Sequence, residues 1–116
     1  MQSDFNIEIS TQNKVPIVRI WGEVDIHNCP QLNRVLSEVL KENDHSLIIN
    51  LDGVQYIDST GLGTIAHAAK TLSNSNGTIQ LVCNKPQIRK IFEISGLSQK
   101  NVNMVESEEA ALGVTQ

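Results

Sequence analysis

The run Leu47-Ile48-Ile49-Asn50-Leu51 leaves this chain few folds to choose from. A strand with one wet face alternates apolar and polar residues. A near-continuous apolar run suits a central strand covered on both faces, as in parallel sheets flanked by helices. The residues downstream agree. Leu62, Ile65, Ala66, Ala69 and Leu72 recur at helical spacing, Asn74-Ser75-Asn76-Gly77 breaks that helix, and Thr78 to Cys83 returns as a strand.

Upstream, Phe5, Ile7 and Ile9 alternate with Asn6, Glu8 and Ser10, the period of a half-buried strand. Thr11 to Lys14 then makes a polar turn into a second strand, Val15 to Trp21, which Gly22 ends. Asn28 is placed to cap a helix with Pro30 and Gln31 in its first turn and Leu32, Val35, Leu36, Val39 and Leu40 on one stripe. Further on, Pro86 opens a helix presenting Ile88, Ile91 and Phe92, with Gly96 as its terminator. A short strand near Val102 to Val105 follows, and Ser107 caps a last helix with Glu108 and Glu109 in its first turn, where the helix dipole favours carboxylates. The expected fold is α/β: a small mixed, mostly parallel sheet of about five strands with about four helices beside it, joined by right-handed crossovers.

At 116 residues and 40% hydrophobic content, the chain is expected to form one domain over residues 1–116, with its core over 5–114 and no need of metal or disulfide staples. Its formal net charge is -4 and its nine Lys and Arg are scattered, so phosphate-backbone attraction gives it no hold on nucleic acid. No apolar run approaches the roughly 18 residues that span a bilayer, and Met1-Gln2-Ser3-Asp4 lacks the basic start and apolar centre of a signal peptide. A cytoplasmic protein with no membrane partner is expected. Cys29 and Cys83 are far apart and match neither a zinc-ligand pair nor a disulfide framework, which makes them reduced packing residues.

Between the central strand, ending near Leu51, and the helix containing Ile65 lies Asp58-Ser59-Thr60-Gly61-Leu62-Gly63, preceded by Tyr56 and Ile57. Hydroxyls here sit at a helix start, where unpaired backbone N–H groups and partial positive charge accommodate a phosphate. Gly61 and Gly63 keep the surface low for an approaching partner. A phosphate on Ser59 adds about -1.5 to -2 charge beside Asp58. Removing about 3 to 4 kcal/mol from an interface weakens it roughly a few hundredfold. On these residues alone, simple helix capping by Asp58 or Ser59 is the stronger reading, because a short acidic-hydroxyl-glycine string is weakly specific.

Longer stretches carry more information. Gly22-Glu23-Val24-Asp25, Leu51-Asp52-Gly53-Val54 with Tyr56-Ile57-Asp58-Ser59-Thr60-Gly61-Leu62-Gly63, and Asn84-Lys85-Pro86 through Ser95-Gly96-Leu97 together resemble anti-sigma factor antagonists with the STAS fold, in order and in spacing. The resemblance implies that Ser59 is a phosphoacceptor and that Thr60 stands where a second serine is often found. It also implies that Asp25 and Asp58 occupy acidic positions of a partner-binding surface that includes Ser59, Thr60, Gly61, Leu62 and Gly63. It implies partner switching as well. The unphosphorylated protein binds an anti-sigma factor and frees the sigma factor, and phosphorylation reverses this. The anti-sigma factor is itself a serine/threonine kinase, so ATP and magnesium are the partner's and this chain needs no cofactor and performs no catalysis; a serine phosphatase restores the starting form.

Other readings compete. A stand-alone domain of this fold also serves as a subunit of other assemblies, such as a lipid-transport complex or a regulatory scaffold. Asp52 resembles the phosphoacceptor aspartate of a receiver domain, but Gly22-Glu23-Val24-Asp25 supplies no adjacent acidic pair to hold magnesium. A serine nucleophile at Ser59 needs a base, and neither the spacing of His27, His45 and His67 nor a Gly-x-Ser-x-Gly elbow provides one. The loop also lacks the lysine of a phosphate-cradling motif. Trp21 is placed either as a partner anchor or as core packing.

Overall fold

The computed structural model describes residues 5–95 and 101–115. Along the chain run β1 (Asn6–Gln12), β2 (Val15–Val24), α1 (Cys29–Glu42), β3 (Ser46–Ile57), α2 (Ser59–Ser73), β4 (Thr78–Val82), α3 (Pro86–Ile94), β5 (Val102–Val105) and α4 (Glu108–Thr115). The strands lie side by side in chain order, β1 antiparallel to β2 and the remaining pairs parallel. Crossovers of one hand between successive strands put their helices on one face. Accordingly Leu32, Leu36, Ile65, Leu72, Ile88 and Phe92 pack with Val18, Ile20, Leu47, Ile49, Leu51, Ile79 and Leu81. On the opposite face α4 lays Ala111 and Leu112 against Val15, Ile17, Ile48 and Val82. The apolar run of β3 is thus covered from both sides: Leu47, Ile48, Ile49 and Leu51 are all 0% exposed.

Several boundaries differ from the sequence expectation, each for a physical reason. The first turn is tight, with Asn13 and Lys14 at φ 53 and 67, the left-handed conformation that two-residue hairpin loops demand. Asn43 holds it through a 3.1 Å hydrogen bond from its side-chain amide to the Lys14 carbonyl. Ile9 is 50% exposed rather than packed, on β1 at the edge of the sheet. Gly22 does not end β2; at φ 92 it kinks a strand that continues to Val24. Nor does β3 stop at Leu51.

The length of β3 comes from two bulges. Between the pairs Arg19–Asn50 and Trp21–Gly53, β2 advances two residues and β3 three; between Gly22–Val54 and Glu23–Tyr56, β2 advances one and β3 two. Each extra residue breaks the alternation by which a strand is recognised. Tyr56 and Ile57 therefore belong to the strand and not to the loop after it. Lys85 Nζ donates to the Val54 carbonyl at 2.9 Å, beside the second bulge.

Gly96, expected to end the third helix, lies outside the described residues, as do Leu97 and the amino-terminal Met1 to Asp4. Among the described residues no helix is long and apolar enough to cross a membrane.

Candidate functional site

Strands β2 and β3 end together, Val24 opposite Ile57, and the loops that follow them form one edge of the molecule. The backbone N–H of Asp58 donates to the Val24 carbonyl at 3.1 Å, fixing the start of α2 against the end of β2. Asp58 has extended backbone, and its Oδ1 accepts from the Gly61 N–H at 2.9 Å; its own carbonyl accepts from the Leu62 N–H at 3.0 Å. The carboxylate therefore does the capping. Ser59 is the first helical residue and is exposed, and among the described residues its hydroxyl has no hydrogen-bond partner within the chain. Thr60, also exposed, accepts from the Thr64 hydroxyl at 2.9 Å through its backbone carbonyl.

The neighbouring loop is organised by Asp25. Its Oδ1 accepts from the N–H groups of His27 and Asn28 at 3.0 and 3.1 Å, and its carbonyl accepts from the N–H of Cys29 at 2.8 Å. Asn28, expected to cap α1 with its side chain, instead donates its amide to the Glu23 carbonyl at 2.8 Å. The Cys29 thiol lies under both loops. Burial pushes its pKa up, a hydrogen bond with the Thr64 side chain pulls it back, and the carboxylates of Asp58 and Asp25 push it up again. Both Asp25 and Asp58 therefore act on the Cys29 thiol.

The two loop glycines part company. Gly63 is exposed with nothing near a built Cβ, which keeps the surface open. Gly61 is buried, and a Cβ there would lie 2.7 Å from Ile57 Cγ1, 2.8 Å from Val24 Cγ1 and 2.9 Å from the Val24 carbonyl oxygen. Its expected part in the exposed partner surface is corrected. Gly61 lets α2 sit down on the ends of β2 and β3. Leu62 is half-buried against the core, so Asp25, Asp58, Ser59, Thr60, Leu62 and Gly63 remain at or near the surface.

Asp52 serves the structure. Its carboxylate accepts from the Asn84 N–H at 2.8 Å and pins the loop between β4 and α3. His27, His45 and His67 are exposed. Among the described residues no group of three or more His, Cys, Asp or Glu is arranged to hold a metal ion. Both cysteines are buried free thiols, and burial also pushes the Cys83 pKa up.

One cluster escaped sequence reasoning. Arg19 donates from Nε and Nη2 to both carboxylate oxygens of Glu108 at 2.7 and 2.8 Å, Asn50 donates to the same carboxylate at 2.7 Å, and Arg19 also reaches Glu8 at 2.9 Å. This clamp fastens the start of α4 to the middle of the sheet. Its signal was present as Arg19 and Asn50, single polar residues interrupting otherwise apolar strands.

Comparison with known proteins bears on the family and the fold. A model of the STAS domain family matches residues 6–111. An anti-sigma-B factor antagonist of Staphylococcus aureus (strain NCTC 8325 / PS 47) is 34% identical over 94 residues, covering 81% of this chain and 87% of that protein. The crystal structure of an anti-sigma factor antagonist from Mycobacterium paratuberculosis shares the fold with a TM-score of 0.87 at 23% identity, covering 97% of this chain and 94% of that one. The Bacillus cell fate determinant SpoIIAA, solved in its phosphorylated form, gives a TM-score of 0.71 at 26% identity over 95% of this chain and 98% of that one.

Proposed function

The chain belongs to the STAS domain family, and from that premise we propose that it is an anti-sigma factor antagonist that switches partners through Ser59. In the unphosphorylated form, the edge built by Asp25, Asp58, Ser59, Thr60, Leu62 and Gly63 binds an anti-sigma factor that is also a serine kinase, and the sigma factor is released. The kinase brings ATP and magnesium, transfers the γ-phosphoryl group to Ser59 Oγ, and loses its grip on the product; a serine phosphatase resets the system. The observation that carries this reading is the division of labour at the helix start. Asp58 takes the cap, so the Ser59 hydroxyl is exposed and has no partner within the described chain.

The electrostatics give the switch its direction. A phosphate on Ser59 adds about two negative charges next to Asp58. The free N–H groups at the start of α2 soften its cost to the fold, because helix N-termini accommodate anions. An interface that closes over a neutral hydroxyl has no such provision. The added charge must be desolvated there, which costs several kcal/mol. The occurrence of the related SpoIIAA in a phosphorylated form fits this scheme.

The test is phosphopeptide mapping after incubation with the ATP-binding protein recovered from the native cytoplasm on the immobilised chain. Label on Ser59 is expected, and Thr60→Ala should still be labelled. Label on Thr60 or Asp52 contradicts the assignment.

A further inference from the structure

The chain's one tryptophan and one tyrosine stand together on the part of the sheet that α4 leaves open. Ile17 packs beneath α4 and Arg19 grips Glu108, so alternation along β2 carries Trp21 onto the same face. Tyr56 sits opposite Glu23, the next residue of β2 on that side. Trp21 is 37% exposed and Tyr56 51%. The seat of the indole is built for it. Trp21 pairs with Gly53 at the first bulge, and its ring occupies the space of the missing side chain, since a Cβ on Gly53 would lie 2.8 Å from Trp21 Cγ and from Nε1. An aromatic held in place before binding loses little freedom when covered.

The surroundings of the two rings are acidic. Asp52 precedes Gly53 in the bulge and is exposed. Asn84, which donates to Asp52, also donates to the Glu106 backbone carbonyl at 2.7 Å, so exposed Glu106 adds negative charge on the Asp52 side of the face. Glu23 completes the rim next to Tyr56. The cations nearby are engaged: Arg19 with Glu108 and Glu8, and Lys85 with the Val54 carbonyl.

We propose that this face is a second docking surface, distinct from the Ser59 edge, that takes an arginine- or lysine-bearing segment of a partner protein. The guanidinium or ammonium groups stack on Trp21 and Tyr56 while Asp52, Glu106 and Glu23 oppose their charge. A second copy of the chain fits badly, because pairing this face with itself sets acidic rims against each other in a molecule of net charge -4. An anionic bilayer is repelled for the same reason. The inference does not rest on phosphorylation at Ser59.

Trp21 reports on its own surface. The full chain is titrated with a synthetic peptide of alternating arginine and leucine while indole emission is followed. A saturable change is expected, weakened by added salt, and weakened about tenfold or more in Tyr56→Ser. Asp52→Asn combined with Glu106→Gln should also weaken it; Asp52→Asn keeps an acceptor for Asn84, and thermal melts separate unfolding from lost binding. The glutamate-leucine counterpart should produce no saturable change, and Ser59→Ala should respond as the unaltered chain does. Equal responses to both peptides, or no saturable response, overturn the proposal, and loss of the response in Ser59→Ala does so by moving the contact to the loop edge. Concentration-dependent dimerisation that Trp21→Ser abolishes, or an equal indole response to phosphatidylglycerol vesicles, assigns the face to another occupant and overturns it too.

Discussion

Helices α2 and α4 both start on an acid next to a hydroxyl, and the order of the two decides what each end is for. At α4 the hydroxyl comes first. Ser107 Oγ accepts from the Ala110 N–H at 3.0 Å, and Glu108 is free to reach across to Arg19 and Asn50. At α2 the acid comes first, so Asp58 accepts from Gly61 at 2.9 Å and Ser59 is left with an open hydroxyl. One terminus is closed by its own side chains and locks the fold, while the other keeps a nucleophilic oxygen facing outward. The residue types are nearly the same, and only their arrangement distinguishes a closed terminus from one with an open hydroxyl.

The largest expected effect tests how the α2 terminus is seated. Gly61→Val should cost about 3 kcal/mol or more in urea unfolding, because its side chain meets the Val24 backbone, which cannot rotate away. Gly63→Ala, two residues on, should be neutral or stabilising by a few tenths to about 1 kcal/mol. Similar losses for both would erase the contrast between a packed glycine and an open one.

At the α4 terminus, Glu108→Ala should cost about 2 kcal/mol, since it strands the hydrogen bonds of Arg19 and Asn50. This clamp also carries a pH signature. The Arg19 hydrogen bonds hold the Glu108 carboxyl below its ordinary pKa, with burial opposing them. A folded pKa lower than the unfolded one means that the stabilisation is complete above the ordinary glutamate value and is lost as pH falls through the folded value. Below about pH 4.5 the unaltered chain should therefore lose stability more steeply than Glu108→Gln. Parallel acid limbs for the two proteins would remove the clamp from the stability of the fold.

Smaller effects sharpen the comparison of the caps themselves. Asp58→Ala and Ser107→Ala should each cost about 1 kcal/mol, with Asp58→Asn retaining most of the cap. Ser59→Ala should change stability by less than about 0.5 kcal/mol, because no internal hydrogen bond is lost. A cost near 1 kcal/mol for Ser59→Ala would show that its hydroxyl belongs to the fold after all.

Much of this was legible in the residues. The Leu47 to Leu51 run identified a strand buried on both faces, and helical spacing located α1, α2 and α3, because burial imposes its period directly on apolar residues. The Ser107 cap was readable for a similar reason, since its acceptor and donor lie three residues apart. The misses share a cause. The end of β3 and the packing of Gly61 depend on bulges and on contacts of α2 with β2 and β3, which no local period encodes. The Ser59 loop stood out through its motif, whereas its placement beside the end of β2 follows from the register of β2 on β3.

The decisive measurement is the affinity of the anti-sigma kinase proposed as partner for Ser59→Ala and for Ser59→Asp, determined side by side by calorimetry at one salt concentration. Tight binding by Ser59→Ala is expected, with Ser59→Asp weaker by up to a few hundredfold, the equivalent of about 3 to 4 kcal/mol. Equal affinities would contradict a switch that works by placing charge at the start of α2.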